Sequence, residues 1–330
     1  MSERPVLWQS DEAVAATGGA SQLPWAATGV SIDTRSILSG DLFVALQGPR
    51  FDGHDFVLEA LAHGAAAAVV SRMPSGLTGA APLLLVDDTF KALQALAARA
   101  RARTGGRICA ITGSVGKTGV KEALRSVLGH QGTVVASEGN LNNHWGLPLS
   151  LARMGSDATH GVFEIGMNHA GELDPLSRLT RPHVAVITTV ELVHKAHFAS
   201  IEAIADAKAE IFVGVEPGGA AVLNRDNPLF SRLCEAAGRS GVARIVSFGR
   251  ASNADVYLRD AQIGADGSAV SATVFGQALE YRIALPGSHW VTNSLCVLAA
   301  AAALDADVAA VARDLAHVVA ADGRGRQIRV

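Results

Sequence analysis

Arg107-Ile-Cys-Ala-Ile-Thr-Gly-Ser-Val-Gly-Lys-Thr-Gly119 sets three local patterns end to end. Ile108 to Thr112 is a short β-type run that stops at Gly113. Gly116-Lys117-Thr118 follows at once, and Val120, Leu124, Val127 and Leu128 then recur at helical spacing until Gly129. Strand, glycine loop, Lys-Thr and helix together describe a phosphate-binding P-loop formed by Gly113, Ser114, Val115, Gly116, Lys117 and Thr118. In such a loop backbone N–H groups and the helix N-terminus face the anion, the lysine supplies a point charge, and the Thr118 hydroxyl can hold Mg2+. The spacing is the shorter variant Gly113-x-x-Gly116-Lys117-Thr118, since position 111 is isoleucine where the general motif has glycine.

Composition bounds what surrounds the loop. With 330 residues, 49% of them hydrophobic and 18% charged, the chain has material for two or three packed domains and little for disorder. A formal net charge of −3 gives no global basic field, so nucleic acid is not expected as the main partner. The 3 cysteines, Cys109, Cys234 and Cys296, are far apart in apolar surroundings and suit a reducing cytosol rather than a disulfide framework. The N-terminus lacks the pattern of a signal peptide, and the apolar run Leu295 to Leu304 is too short to span a bilayer. A cytoplasmic protein without a membrane span is the expectation.

Outward from the P-loop, strands and helices alternate as a doubly wound, mostly parallel sheet requires. Upstream, Ser10 to Ala16 reads as a capped helix, and short strands alternate with helices as far as the alanine-rich helix Phe90 to Ala102. Thr104-Gly105-Gly106 then breaks the chain. Downstream, strands are expected at Val134–Ala136, Gly161–Ile165, Val184–Thr189, Ala220–Leu223 and Ala243–Phe248. From Asp255 to Leu285 the residues alternate around a turn at Asp266-Gly267, which indicates a small antiparallel annex. The fold class is therefore α/β, a small N-terminal α/β domain followed by a P-loop domain of doubly wound, mostly parallel sheet with that annex. The expected boundaries are 1–104, 105–321 and a linker start at 322–330.

Four further groups of residues can carry chemistry. Glu164 ends an apolar strand, where a carboxylate can bind Mg2+ beside a phosphate chain; the alternative is a strand-end acid facing water. Lys208 falls on the apolar stripe of the helix Ser200 to Phe212, with Ile201, Ile204 and Ile211. A lysine there costs several kcal/mol unless it is paired or chemically altered, or unless it snorkels past the helix edge. His194 and His197 occupy the loop after the Val184 strand, as metal or phosphate contacts or as solvated loop residues. Asn142-Asn143, between Gly139 and the turn residues Gly146-Leu-Pro148, can hydrogen-bond a polar substrate or cap the next helix.

Taken together the motifs resemble those of the Mur ligases of peptidoglycan synthesis. Gly113-x-x-Gly116-Lys117-Thr118, Gly139-Asn-Leu-Asn-Asn143, Glu164-Ile-Gly-Met-Asn168, Ala207-Lys-Ala-Glu-Ile211, Leu223-Asn224-x-Asp226 and Leu285-Pro-Gly287 leading to Asn293 occur in the family's order. Asp33-Thr-Arg35, Gly40-Asp-Leu-Phe-Val-Ala-Leu46 and Phe51-Asp-Gly-His54 resemble the branch that adds D-alanyl-D-alanine to UDP-N-acetylmuramoyl-tripeptide. The resemblance implies an ATP- and Mg2+-dependent amide ligase working through an acyl phosphate, expected as a monomer. It assigns Lys117 to the terminal phosphates, Thr118 and Glu164 to one Mg2+, and His194 to a second. Lys208 matches a lysine that is carbamylated in the family. Asn293 falls on the adenine side, Asp226 near the ribose, and Arg324 matches an arginine that reaches the ATP from between domains. Ser31, Thr34 and Arg35 are placed on the uridine-diphosphate side together with Asn142 and Asn143.

The chain departs from the family pattern at two places. His194-Lys195-Ala196 lacks the glutamate of a usual His-x-Glu, and Gly287-Ser288-His289 has serine where arginine is usual. The family also has a third domain, whose linker would start near Arg324-Gly-Arg326, so these 330 residues are expected to bind substrate but to turn over poorly. Two other readings fit the residues: a related ligase of the folylpolyglutamate type or another Mur enzyme, and a non-catalytic nucleotide- or UDP-sugar-binding protein. A GTPase is disfavoured because no guanine-reading Asn-Lys-x-Asp occurs.

Overall fold

A computed structural model describes residues 4–77, 79–192 and 198–319. The chain folds as two compact units, 1–105 with 145–156, and 106–144 with 157–330.

In the first unit a five-stranded sheet runs in the order Ala20–Ser21, Leu83–Leu85, Ala67–Val70, Asp41–Val44, Gly29–Ser31. Its last four strands are parallel and the Ala20–Ser21 edge is antiparallel. Asp41–Val44 and Ala67–Val70 are buried at every position, as strands covered on both faces are. Phe43, Ala45, Ala68 and Val70 pack on Val57 and Ala60 of the helix Val57–Ala62. The helix Thr89–Arg103 is started by Asp88, whose Oδ1 accepts from the N–H groups of Phe90 (2.8 Å) and Lys91 (3.0 Å).

Asp52 and His54 form a clip in this unit. The His54 Nδ1 lies 2.6 Å from Asp52 Oδ1, its Nε2 accepts from the Ser71 N–H at 2.9 Å, and Arg72 donates to the other Asp52 oxygen at 2.6 Å. Burial pushes Asp52 up, but the hydrogen bonds from Arg72 and His54 outweigh it and bring the carboxyl down to about 2.

Segment 145–156 corrects the sequence-based boundary. Gly146-Leu-Pro148, read as a turn in the P-loop domain, instead opens the helix Gly146–Ala152, all of whose residues are buried. Proline is accommodated because the N–H groups of a helix's first turn have no intrahelical partner to lose. The helix packs on Thr89–Arg103. Trp8, wholly buried under the guanidinium of Arg103, donates its indole N–H to the Ala152 carbonyl at 2.9 Å.

The second unit is built on a nine-stranded sheet. Its order is Gln277–Ile283, Gly267–Val274, Val256–Gly264, Arg244–Gly249, Ala220–Asn224, Val184–Ile187, Arg107–Thr112, His160–Glu164, Val134–Ala136. All pairs from Val134–Ala136 to Val256–Gly264 are parallel, and the last two pairs are antiparallel. The annex is thus an edge of the main sheet rather than a separate layer. Helices Lys117–Leu128 and Ser288–Ala303 close one apolar core with Ile111, Val186, Val222 and Val246. Full burial of such side chains stabilises by about 1.5–3 kcal/mol each before chain entropy is counted.

The strand Arg107–Thr112 pairs with His160–Glu164 on one side and Val184–Ile187 on the other. The chain leaves Arg107–Thr112 toward the Val134–Ala136 edge but leaves both of its neighbours toward the opposite side of the sheet, which makes the carboxyl end of Arg107–Thr112 the switch point where open α/β sheets bind ligands. Among the described residues no helix is long and apolar enough to cross a membrane.

Candidate functional site

The P-loop lies at this switch point, and its backbone requires glycine. Gly113 has φ +148°, and a Cβ there would lie 2.0 Å from Thr188 Oγ1. Gly116 has φ +87°, and its Cβ would lie 2.9 Å from Asn293 Oδ1. The neighbouring strand end holds the loop in place. The Ser114 N–H donates to the Thr189 carbonyl at 2.8 Å, Thr188 Oγ1 donates to the Val115 carbonyl at 2.5 Å, and the Glu191 N–H donates to Ser114 Oγ at 2.9 Å. Lys117, first residue of the helix Lys117–Leu128, curls over the loop and donates from Nζ to the Gly113 carbonyl at 2.7 Å. Asn293, on the helix Ser288–Ala303, lines the loop's other side.

Glu164 ends its strand inside the protein rather than facing water, with 3% of its surface exposed. Oε2 accepts from the Thr118 hydroxyl at 2.8 Å, Oε1 accepts from Asn142 Nδ2 at 2.9 Å, and its N–H donates to Ser137 Oγ at 3.0 Å. Asn142, expected to reach a substrate or cap a helix, therefore orients this carboxylate. Asn143 is exposed next to it. Two hard oxygen donors, a carboxylate and a hydroxyl beside a phosphate-binding loop, match the coordination preference of Mg2+, which takes one or two carboxylates and fills its octahedron with phosphate oxygens and water. Among the described residues no cluster of three or more His, Cys, Asp or Glu makes a metal site from protein alone. His194 and Arg324 lie outside the described residues.

Lys208 is buried, with 3% exposed, on the helix Ile201–Ala209 that Ser200 caps by accepting from the Ala203 N–H. It does not snorkel. Burial first, and the like charge of Lys117 second, lower its pKa from 10.5 to about 7. Two residues on, Glu210 accepts from the N–H groups of Gly171 (2.6 Å) and Leu173 (3.1 Å), tying this segment to the loop that follows Glu164.

Beyond the P-loop, a cleft of about 390 Å3 is lined by Thr189, Glu191, Leu192, Asn224, Asp226 and Asn227. Asp226, expected near a ribose, spends its oxygens on the N–H groups of Arg250 (2.7 Å) and Ala251 (3.0 Å), so it shapes the cleft wall.

In the first unit the residues expected at a uridine diphosphate differ in accessibility. Ser31 is 1% exposed, and its hydroxyl is engaged in a turn with the N–H and C=O of Asp33. Thr34 is buried too. Arg35 is exposed and forks onto Asp33, with contacts down to 2.6 Å. Its hydrogen bonds hold the Asp33 carboxyl below its ordinary range.

Sequence reasoning missed Lys121 and Ser137. Lys121 is wholly buried, and its Nζ donates to the Ser137 carbonyl at 2.6 Å. The available signal was a lysine between Val120 and Leu124 on a helix that packs on the sheet.

Comparisons with known proteins agree with this architecture. Residues 111–301 match the Mur ligase middle domain, and residues 26–101 match the catalytic domain of the Mur ligase family. The chain is 34% identical over 301 residues to the UDP-N-acetylmuramoyl-tripeptide--D-alanyl-D-alanine ligase of Rickettsia prowazekii (strain Madrid E), covering 91% of this chain and 67% of that protein. It is 36% identical over 295 residues to the enzyme of the same name from Escherichia coli (strain K12), covering 89% of this chain and 64% of that protein. Two thirds of these relatives' length or less is therefore spanned. A crystal structure of MurF from Acinetobacter baumannii superposes with TM-score 0.86 at 31% identity, over 98% of this chain and 70% of that one. MurF ligase from Thermotoga maritima in complex with ADP gives TM-score 0.71 at 27% identity, over 86% of this chain and 65% of that one. The chain belongs to the Mur ligase family.

Proposed function

We propose that this chain supplies the UDP-substrate-binding and ATP-binding parts of a cytoplasmic, ATP-dependent ligase that joins D-alanyl-D-alanine to UDP-N-acetylmuramoyl-tripeptide. The observation that carries the reading is the P-loop whose Thr118 hydroxyl is bonded to the buried Glu164, in a chain whose relatives bear that enzyme's name.

The residues divide the work by charge and position. Gly113 to Gly116 offers backbone N–H groups and the start of a helix to the phosphates, where negative charge is favoured. Lys117 exchanges its bond to the Gly113 carbonyl for the terminal phosphate and stabilises charge that builds up as the phosphoryl group moves to the tripeptide carboxylate. Thr118 and Glu164 would hold Mg2+, which supplies charge neutralisation between phosphate and carboxylate oxygens. Asn142 keeps Glu164 oriented. Lys208, as a carbamate, would present an anion beside Lys117 where its ammonium is disfavoured by burial. The acyl phosphate is attacked by the amine of D-alanyl-D-alanine, the C–N bond forms as phosphate departs, and the amine loses one proton. Asn293 flanks the nucleotide, and Asp226 shapes the cleft nearest its sugar. On the first unit Arg35 is an exposed cation suited to a diphosphate, beside the buried Thr34 in a turn that Ser31 and Asp33 fix.

The test is phosphate release from ATP in the presence of each substrate. Release should require both UDP-N-acetylmuramoyl-tripeptide and D-alanyl-D-alanine, and single amino acids should not replace the dipeptide. Release indifferent to either compound would defeat the reading. Binding is a second measure: UDP-N-acetylmuramoyl-tripeptide and ADP with Mg2+ should each bind by calorimetry.

A further inference from the structure

We infer that Lys121 is a positioning residue for the metal carboxylate Glu164, acting through Ser137; the inference rests on the assignment of Thr118 and Glu164 as the Mg2+ pair. Lys121 is wholly buried, and an ammonium taken out of water must recover its hydration from fixed partners. It has two, the Ser137 carbonyl at 2.6 Å and Glu122 Oε1 at 2.6 Å.

Ser137 is engaged through its N–H, its carbonyl and its hydroxyl. Its N–H donates to the Val162 carbonyl at 3.2 Å, its carbonyl accepts from Lys121, and its Oγ accepts the Glu164 N–H at 3.0 Å. Ser137 is 2% exposed, so bulk solvent has little access to these bonds. Thr118 and Lys121 are three apart on the same helix and so lie one turn from each other on one face.

The P-loop helix thus grips Glu164 twice, at the carboxylate through Thr118 and at the backbone through Lys121 and Ser137. With Asn142 on the remaining oxygen, the carboxylate has little freedom to turn away from the helix. A methionine at 121 would fill the same space and leave the Ser137 carbonyl without its donor. Lys121 does not touch substrate in this scheme. It fixes the place of a group that would touch the metal, and such outer partners typically weaken metal affinity ~10–100-fold when removed.

The experiment titrates Mn2+ into the protein saturated with ADP and reads bound metal by electron paramagnetic resonance, with ADP affinity in EDTA measured in parallel. Lys121→Met and Ser137→Ala should each weaken Mn2+ binding by about tenfold or more, with ADP affinity in EDTA kept within about twofold. The double variant should be no worse than the weaker single one, since both interrupt one path. Glu122→Gln, which removes only the outer partner of Lys121, should leave Mn2+ binding unchanged. Glu164→Gln is the reference. If wild type binds Mn2+ no better than Glu164→Gln does, the metal-pair assignment itself fails. If Glu164→Gln loses the metal while Ser137→Ala binds it like wild type, the role given to Lys121 and Ser137 is wrong. Ser137→Ala decides the matter even where Lys121→Met does not fold. A lower melting temperature in Lys121→Met with unchanged Mn2+ affinity would likewise overturn the inference.

Discussion

Lys208→Met should make the unmodified protein more stable, although lysine is the residue nature placed there. Burial, with Lys117 adding to it, takes the amine from 10.5 to about 7, a difference of 10.5 − 7 = 3.5. At about 1.4 kcal/mol per pH unit this is ~5 kcal/mol for the fully charged amine, and ~4 kcal/mol at pH 7 where half is already neutral. Between pH 7 and 10.5 the unfolded lysine keeps its proton while the folded one has released it. The unfolded state then binds more protons, so stability rises with pH across that window and is lost as pH falls back toward 7. Methionine, similar in length and never charged, escapes the penalty.

Urea unfolding in carbonate-free buffer, followed by far-UV circular dichroism, should show Lys208→Met ahead of wild type by a few kcal/mol at pH 7, the gap closing toward pH 10.5. Adding bicarbonate near pH 8 should stabilise wild type alone, since only the neutral amine forms a carbamate. A gap that is absent at pH 7, or constant with pH, would refute the argument that Lys208 is a desolvated cation.

Two further predictions follow from the geometry. Gly116→Ala should cost about 1–2 kcal/mol of stability, because alanine is strained at φ +87° and its Cβ meets Asn293 Oδ1 at 2.9 Å; ADP affinity should fall with it, and a variant unchanged in urea midpoint and ADP titration would contradict this. Asp52→Asn should destabilise the first unit at pH 7, since the carboxyl lies at about 2 against an ordinary 3.8, worth ~2 kcal/mol. A depressed carboxyl contributes above its unfolded pKa, so the difference from wild type in urea unfolding should shrink as pH falls through 4 toward 2.

What could be read from the chain was what is local. The run from Ile108 to Gly119 carries its own strand, loop and helix start, so the switch-point loop followed from residues adjacent in sequence. Glu164 could be placed because strand ends in such sheets share one edge, and Lys208 because helical period puts it among Ile201 and Ile204. Residues that answer to partners far along the chain were harder to read. Asn142 looked like a turn residue, yet its amide reaches Glu164. Lys121 sits beside the Val120–Leu124 stripe with no local signal of a partner, and only the return of the chain at Ser137 supplies the carbonyl that lets it be buried. The burial of Ser31 depends likewise on an Asx-like turn that folds its hydroxyl inward.

The helix Gly146–Ala152 also imposes a timetable on synthesis. When residue 105 has been made, the strands of the first unit are complete, but Trp8 lacks the carbonyl of Ala152 and Thr89–Arg103 lacks the helix that covers it. The missing wall arrives 156 − 105 = 51 residues later, roughly 3–10 s at about 5–20 residues per second. During that interval the strand Arg107–Thr112 is already made, whereas its neighbours His160–Glu164 and Val184–Ile187 are not. Two apolar surfaces therefore wait on the ribosome together, one for a single helix and one for two strands. A chain cut after residue 105 would never receive its helix, so an autonomous first unit needs residues 145–156 grafted back onto it.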